Sequence, residues 1–369
     1  MPSTMSSSPR ERTDGVSVVV PTRNGERWLA DVLDAILAQR GVRPLEVIVV
    51  DDGSTDRSRA MLDARFVSPD VRVIDGPCRG AAAAINAGIR LARFPFIAQI
   101  DQDVIIEPGW LDALLEAMSD GGVAAAQGCY YSDPQAPFTA RVMGLDLEQR
   151  YAAIDGVHTD HVCTGNVLYR TSALHAVGLF DEQLGYGYDN DLSYRLAQHG
   201  YQLVISREAR SRHFWRSGLM PYLLQQYGFG YGRMDLIARH RLRLGGDAVS
   251  PSDMMLHPVL LLAAICTLGV GAGTGYHAVA QLLAGLIVFG LVFERAIAGA
   301  RAATDHRDAA ALTFPVLHLA RDAAWIVAIV VWCLRWCGSM PSRPAFSMFP
   351  RPAVSPLADR RARVEVAER

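Results

Sequence analysis

The stretch "FIAQIDQDVII", Phe96 to Ile106, decides the fold. Its mostly apolar first half reads as a buried strand, and Asp101 and Asp103 stand at the carboxyl end with only Gln102 between them. In a parallel sheet that end opens into the crevice where ligands bind. Two acids placed together there repel each other, so the pattern implies a cation.

Upstream, Val/Ile-rich runs recur at "GVSVVV", "LEVIVV" and "VRVID", separated by helical spacing in "ERWLADVLDAILAQ" and "GAAAAINAGIRLA". Near-continuous apolar strands alternating with helices predict an α/β domain with a mainly parallel, Rossmann-like sheet covered on both faces. That pattern spans residues 15–130, and residues 130–217 read as the second half of the same domain. The first strand runs into Pro21, Thr22, Arg23 and Asn24, a polar turn able to present backbone groups to a ligand. The second ends at Asp51 and Asp52 before a turn in which Asp56 reads as a helix cap. A carboxylate at such a strand end can accept from a base N–H or a ribose hydroxyl. No G-x-G-x-x-G follows the first strand, which disfavours a nicotinamide or flavin site. In "RGAAAAINAGI", Gly80 and the alanines allow close approach to sheet or ligand, and Asn86 can tie down a loop.

The ordered set "VSVVVPTRN", "VIVVDDGSTD", "GAAAAINAGI", "IAQIDQD", "TGNVLYRTSALHAVGLFDE" and "YDNDLSYRL" resembles the family 2 glycosyltransferases of the GT-A fold over residues 15–215. By that resemblance, Pro21, Thr22, Arg23 and Asp52 hold the nucleotide, with Gly80 and Asn86 on the donor side and Asp101 near ribose and sugar. Asp103 ligates Mg²⁺ or Mn²⁺, with His213 beside metal or diphosphate. Asp189 is the base that deprotonates the acceptor, and Asp191 its orienting or structural neighbour. Tyr188 stands where the family usually has Glu, and with Trp215 is expected at the acceptor. A single displacement at the anomeric carbon inverts it.

The chain has 369 residues, 50% of them hydrophobic, and a formal net charge of -2, which argues against a nucleic-acid partner. Its six cysteines form no C-x-x-C pair, so neither a zinc site nor a disulfide framework is expected. Residues 1–14 lack an apolar signal core and read as a disordered leader, and residues 339–369 as a disordered tail. Residues 218–250 read as interfacial linker helices and 251–338 as a membrane region with two or three helical segments. Pro258–Tyr276 is uncharged and long enough for roughly 28 Å of helix. His277–Phe293 is similar, and Arg295, Arg301 and Arg307 are expected in a cytoplasmic loop after it. A third run, Ala323–Leu334, follows Arg321 and Asp322 and reads as re-entrant, interfacial or a short span.

Tandem spans after the catalytic domain resemble succinoglycan-type exopolysaccharide glycosyltransferases. The resemblance implies transfer from a nucleotide-diphosphate donor, UDP-sugar first, to a lipid-linked saccharide, with membrane lipid as a further partner. The catalytic domain would face the cytosol at the inner membrane. A polyprenyl-phosphate sugar transferase and an inactive nucleotide-sugar sensor or scaffold are the alternatives.

Overall fold

The computed structural model describes residues 15–338 apart from residues 40, 42 and 67, so the leader and tail lie outside the described residues. The first half alternates β1 (Val16–Thr22), α1 (Leu29–Leu37), β2 (Leu45–Asp51), α2 (Ser58–Arg65), β3 (Val71–Asp75), α3 (Ala81–Leu91) and β4 (Phe96–Ile100). All strand pairs here are parallel. Period-two alternation sends Val18, Val20, Val47 and Val49 to a core shared with Leu29, Val32, Leu33 and Ile36 of α1. Val19, Ile48 and Val50 face the other way, onto Ala84, Ile85 and Ile89 of α3. Each large apolar side chain so buried contributes about 1.5–3 kcal/mol. At Gly88 a Cβ would lie 2.5 Å from Cγ1 of Val19, so α3 sits closer to the sheet than any larger residue there would permit.

The second half comprises β5 (Val104–Ile106), α4 (Trp110–Ala117), β6 (Val123–Tyr131), α5 (Phe138–Ala152), β7 (His158–Thr159), β8 (Asn166–Arg170), α6 (Thr171–Ala176), α7 (Tyr188–Gln198) and β9 (Gln202–His213). Among the described residues one sheet forms in the order β3-β2-β1-β4-β8-β6-β9-β5, with β7 on β9. It is mixed rather than mainly parallel: β8 runs antiparallel to both β4 and β6, and β5 antiparallel to β9. The opening stretch breaks at the Asp101–Asp103 turn into two strands: β4 lies between β1 and β8, and β5 pairs with β9.

The chain continues through α8 (Leu219–Arg239), α9 (Ser252–Thr274), α10 (His277–Asp305) and α11 (Phe314–Trp336), the last entered by a 3-10 turn at Ala309–Thr313. Among the described residues three helical segments are long and apolar enough to cross a membrane: Ser252–Thr274, His277–Asp305 and Ala309–Trp336. Two expectations change. Arg295 and Arg301 lie inside α10, not in a loop, and Arg295 pairs with Glu294 at 2.9 Å. The third run is no short segment, because Arg321 and Asp322 are buried within α11 and pair with each other at 3.0 Å, so apolar helix extends on both sides of them. Helix α10 returns to the catalytic side, where His306 meets Glu148 at 3.2 Å and Asp308 meets Arg141 at 3.0 Å, both partners on α5.

Candidate active site

The turn between β4 and β5 is where the sheet opens. Val104 N–H donates to the Asp101 carbonyl at 3.1 Å, which folds the acids over the strand end. Gln102 fastens this turn to the loop after β1: its Oε1 accepts from Thr22 Oγ1 at 2.6 Å and Arg23 N at 2.8 Å, while its Nε2 donates to the Arg23 carbonyl at 3.1 Å. Register then supplies the next group. Val104 of β5 pairs with His213 of β9, leaving His213 Nε2 3.7 Å from Asp103 Oδ1. His213 stacks on Trp215 with ring centroids 3.9 Å apart, and Tyr130 meets both edge-on.

Asp101 accepts from Gln99 Nε2 at 2.8 Å, and Gly165 lies against it: a Cβ on that glycine would sit 2.7 Å from Asp101 Oδ2. Desolvation, with the charge of Asp103 added, pushes the Asp101 carboxyl up to about 7. An acid strained in this way is one a cation would ionise. The carboxylates of Asp101 and Asp103 are the oxygen donors a hard divalent ion takes, and Nε2 of the His213 imidazole, 3.7 Å from Asp103 Oδ1, adds a nitrogen beside them. The donor set fits Mg²⁺ or Mn²⁺.

Opposite this turn, α7 begins. Gly187, at φ 77, turns the chain so that Tyr188 and Asp189 face inward at the positive end of the helix. Asp189 Oδ2 lies 3.8 Å from His161 Nε2, and the other ring nitrogen of His161 lies 3.7 Å from Oδ1 of the buried Asp247. Burial opposes charge on His161, but Cys163, Asp247 and Asp189 together hold its imidazole well above the usual range. Asp247 also accepts from Asn190 at 2.9 Å, Tyr194 at 2.8 Å and Arg233 at 3.1 Å.

A cavity of about 580 Å³ joins these groups. Arg23, Gly80, Asp101, Asp103, Tyr188, Asp189, His213 and Trp215 all line it, and it continues to Tyr222 and Phe229 of α8 and to Leu317, His318 and Trp325 of α11. Five expected residues do not reach its wall. Pro21 and Thr22 are buried in β1, and the Thr22 hydroxyl is spent on Gln102. Asp52 Oδ2 accepts from Gly80 N at 2.9 Å, so Asp52 anchors the start of α3. Asn86 is a clamp: its Nδ2 donates to the Phe180 carbonyl at 2.8 Å and its Oδ1 accepts from Phe180 N at 3.0 Å. Asp191 is buried and committed to Arg195 and His240, each at 2.8 Å, which leaves Asp189 as the acid on the cavity. Sequence reading missed Gln102, His161, Cys163 and Asp247. Gln102 carried a positional signal, lying between the two acids, whereas Asp247 lies 58 residues beyond Asp189 with no motif around it.

Residues 17–178 match the model of the family described as glycosyl transferase family 2. Pre-mycofactocin glycosyltransferase of Mycobacterium tuberculosis is 30% identical over 323 residues, which cover 85% of this chain and 63% of that protein, so the chain spans less than two thirds of this relative. Succinoglycan biosynthesis protein ExoA of Rhizobium meliloti is 27% identical over 241 residues, 62% of this chain and 72% of its own. Among solved structures, the mannosyltransferase PcManGT from Pyrobaculum calidifontis, in complex with GDP-Man and Mn²⁺, superposes with a TM-score of 0.58 at 21% identity, over 85% of this chain and 87% of that one. The mixed sheet with its flanking helices is thus the GT-A fold.

Proposed function

From the match of residues 17–178 to glycosyl transferase family 2 we propose that the chain moves a sugar, with inversion, from a nucleotide-diphosphate donor to a hydroxyl of a lipid-linked saccharide at a membrane face. The observation that carries this reading is the single cavity running from the Asp101–Asp103 turn to α8 and α11. One end offers carboxylates for a cation-bound diphosphate, and the other is walled by α8 and by α11, which belongs to one of the three segments long and apolar enough to cross a membrane.

Asp103, with Asp101 and His213, would hold a divalent ion, which when bound supplies positive charge to the departing diphosphate. Arg23 and the Gly80 end of α3 face the donor across the turn. Asp189 takes the acceptor proton, the freed oxygen attacks the anomeric carbon from the face opposite the diphosphate, and the sugar–phosphate bond breaks. His161, with Nε2 3.8 Å from Asp189 Oδ2, stands beside the base. Trp215 and Tyr188 offer aromatic faces to the acceptor sugar. A cytosolic placement of the catalytic domain is supported by Arg301 and Arg307 at the catalytic end of α10.

Incubating the membrane protein with a panel of nucleotide sugars and Mg²⁺ or Mn²⁺, then measuring released nucleotide and partitioning labelled product between organic solvent and water, tests this. Label in the organic phase is expected. The pre-mycofactocin relative favours a second reading, a small water-soluble acceptor, which predicts aqueous label. Donor binding without nucleotide release would instead leave a sensor.

A further inference from the structure

The most compact cluster of ligand-type atoms in the cavity is separate from the acid turn. His161 Nε2, Cys163 Sγ and a carboxylate oxygen of Asp189 all lie within 4.8 Å of one another. Nε2 of His161 is 3.8 Å from Asp189 Oδ2 and 3.9 Å from Cys163 Sγ. A tetrahedral ion with bonds of about 2.0–2.3 Å separates such ligands by roughly 3.3–3.7 Å, so a contraction of a few tenths of an ångström brings both His161 distances into range, with Cys163 and Asp189 within 4.8 Å of each other. The fourth position opens on the cavity, since all three residues line it.

The supports behind the ligands are already built. Cys163 N–H donates to Gln127 Oε1 at 2.5 Å, and its sulfur accepts from Tyr151 Oη at 3.3 Å. Val162, between the two ligands, donates from its backbone to Ser193 Oγ of α7 at 3.1 Å, tying the loop to the helix that carries Asp189. Behind the free nitrogen of His161 stands Asp247, itself held by Asn190, Tyr194 and Arg233. A carboxylate behind a ligating imidazole fixes ring orientation and raises basicity in zinc sites. The absence of a C-x-x-C pair does not forbid the site, because its ligands come from two segments that meet only in the fold.

We propose that His161, Cys163 and Asp189 form a site for a thiophilic divalent cation of the Zn²⁺ class, distinct in donor chemistry from the hard-ion site at Asp101 and Asp103. The sulfur ligand selects the softer ion, and carboxylates alone favour Mg²⁺ or Mn²⁺. On binding, the Cys163 thiol and the His161 imidazolium each give a proton to the buffer, and metal–sulfur and metal–nitrogen bonds form. The functional consequence rests on the assignment of Asp189 as base: an ion here takes the lone pair needed for the acceptor proton, so the site is inhibitory.

Cobalt is the probe, added to the purified full-length protein in detergent. A sulfur-to-cobalt charge-transfer band, saturating at a single equivalent and lost in Cys163→Ser, is the expected result. A second measurement needs no variant: Zn²⁺ should slow iodoacetamide labelling of Cys163 by about tenfold or more, while Mg²⁺ leaves it unchanged and Cys129 labels at the same rate with either. No band, a band retained in Cys163→Ser, or Cys163 labelling indifferent to Zn²⁺ overturns the proposal. The role of Asp189 is read separately, from Mg²⁺- or Mn²⁺-supported transfer by Asp189→Asn, so the two readings fail independently.

Discussion

At the scale of single residues, Asp189 and Asp191 show how neighbours on one helix divide their work. Asp189→Asn keeps the shape at the start of α7 and removes the proposed base. Transfer to a hydroxyl should fall by about 10²–10⁴ in kcat with donor KM little changed, as steady-state kinetics would show. Retained turnover would point to a phosphate acceptor, which is already anionic. Asp101 makes a pH prediction. Its carboxyl, raised from 3.8 to about 7, holds its proton more tightly folded than unfolded. In metal-free protein that stabilising contribution is fully present below about 4 and is lost as pH rises through about 7. Thermal melting across that window should show the fall, and Mn²⁺ should reverse it at neutral pH. Asn86 tests the opposite kind of residue. Asn86→Ala strips the partner from the buried Phe180 N–H and should cost about 1–3 kcal/mol in denaturant midpoint without altering donor KM.

At the scale of elements, β1, β2, β3 and α3 were legible because period-two Val/Ile runs and an alanine-rich helix carry their burial in local sequence. The second half was not, since β5 is three residues long and β8 sits antiparallel between β4 and β6, strands distant from it in sequence. Which residues line the cavity was legible where a motif ends a strand or opens a helix, as at Asp101, Asp103 and Asp189. It was illegible at Asp52 and Asp191, whose side chains are captured by Gly80 and by Arg195 with His240. In α11, hydropathy split at Arg321 and Asp322 because charge was counted residue by residue, whereas the buried pair presents little net charge. Arg321→Ala leaves Asp322 without its partner and should destabilise by about 3–5 kcal/mol. The double replacement Arg321→Met with Asp322→Leu should recover most of that, as melting in detergent would show.

At the scale of the whole molecule, the catalytic half and the apolar helices share the walls of the active site. His240 and Asp247, both beyond α8, grip α7 through Asp191, Asn190 and Tyr194. A chain cut after residue 218 should therefore lose sugar transfer while its sheet remains folded, measurable as circular dichroism without nucleotide release. Helix α10 adds a geometric constraint. Its 29 residues reach about 43 Å, against a hydrocarbon layer of about 30 Å, and just past its end the chain is fastened to α5 by the Asp308–Arg141 ion pair and the contact of His306 with Glu148. On the proposed reading, that surplus would act as a stilt, holding the cavity above the lipid tails, so that an acceptor anchored there would need a headgroup tall enough to climb into it.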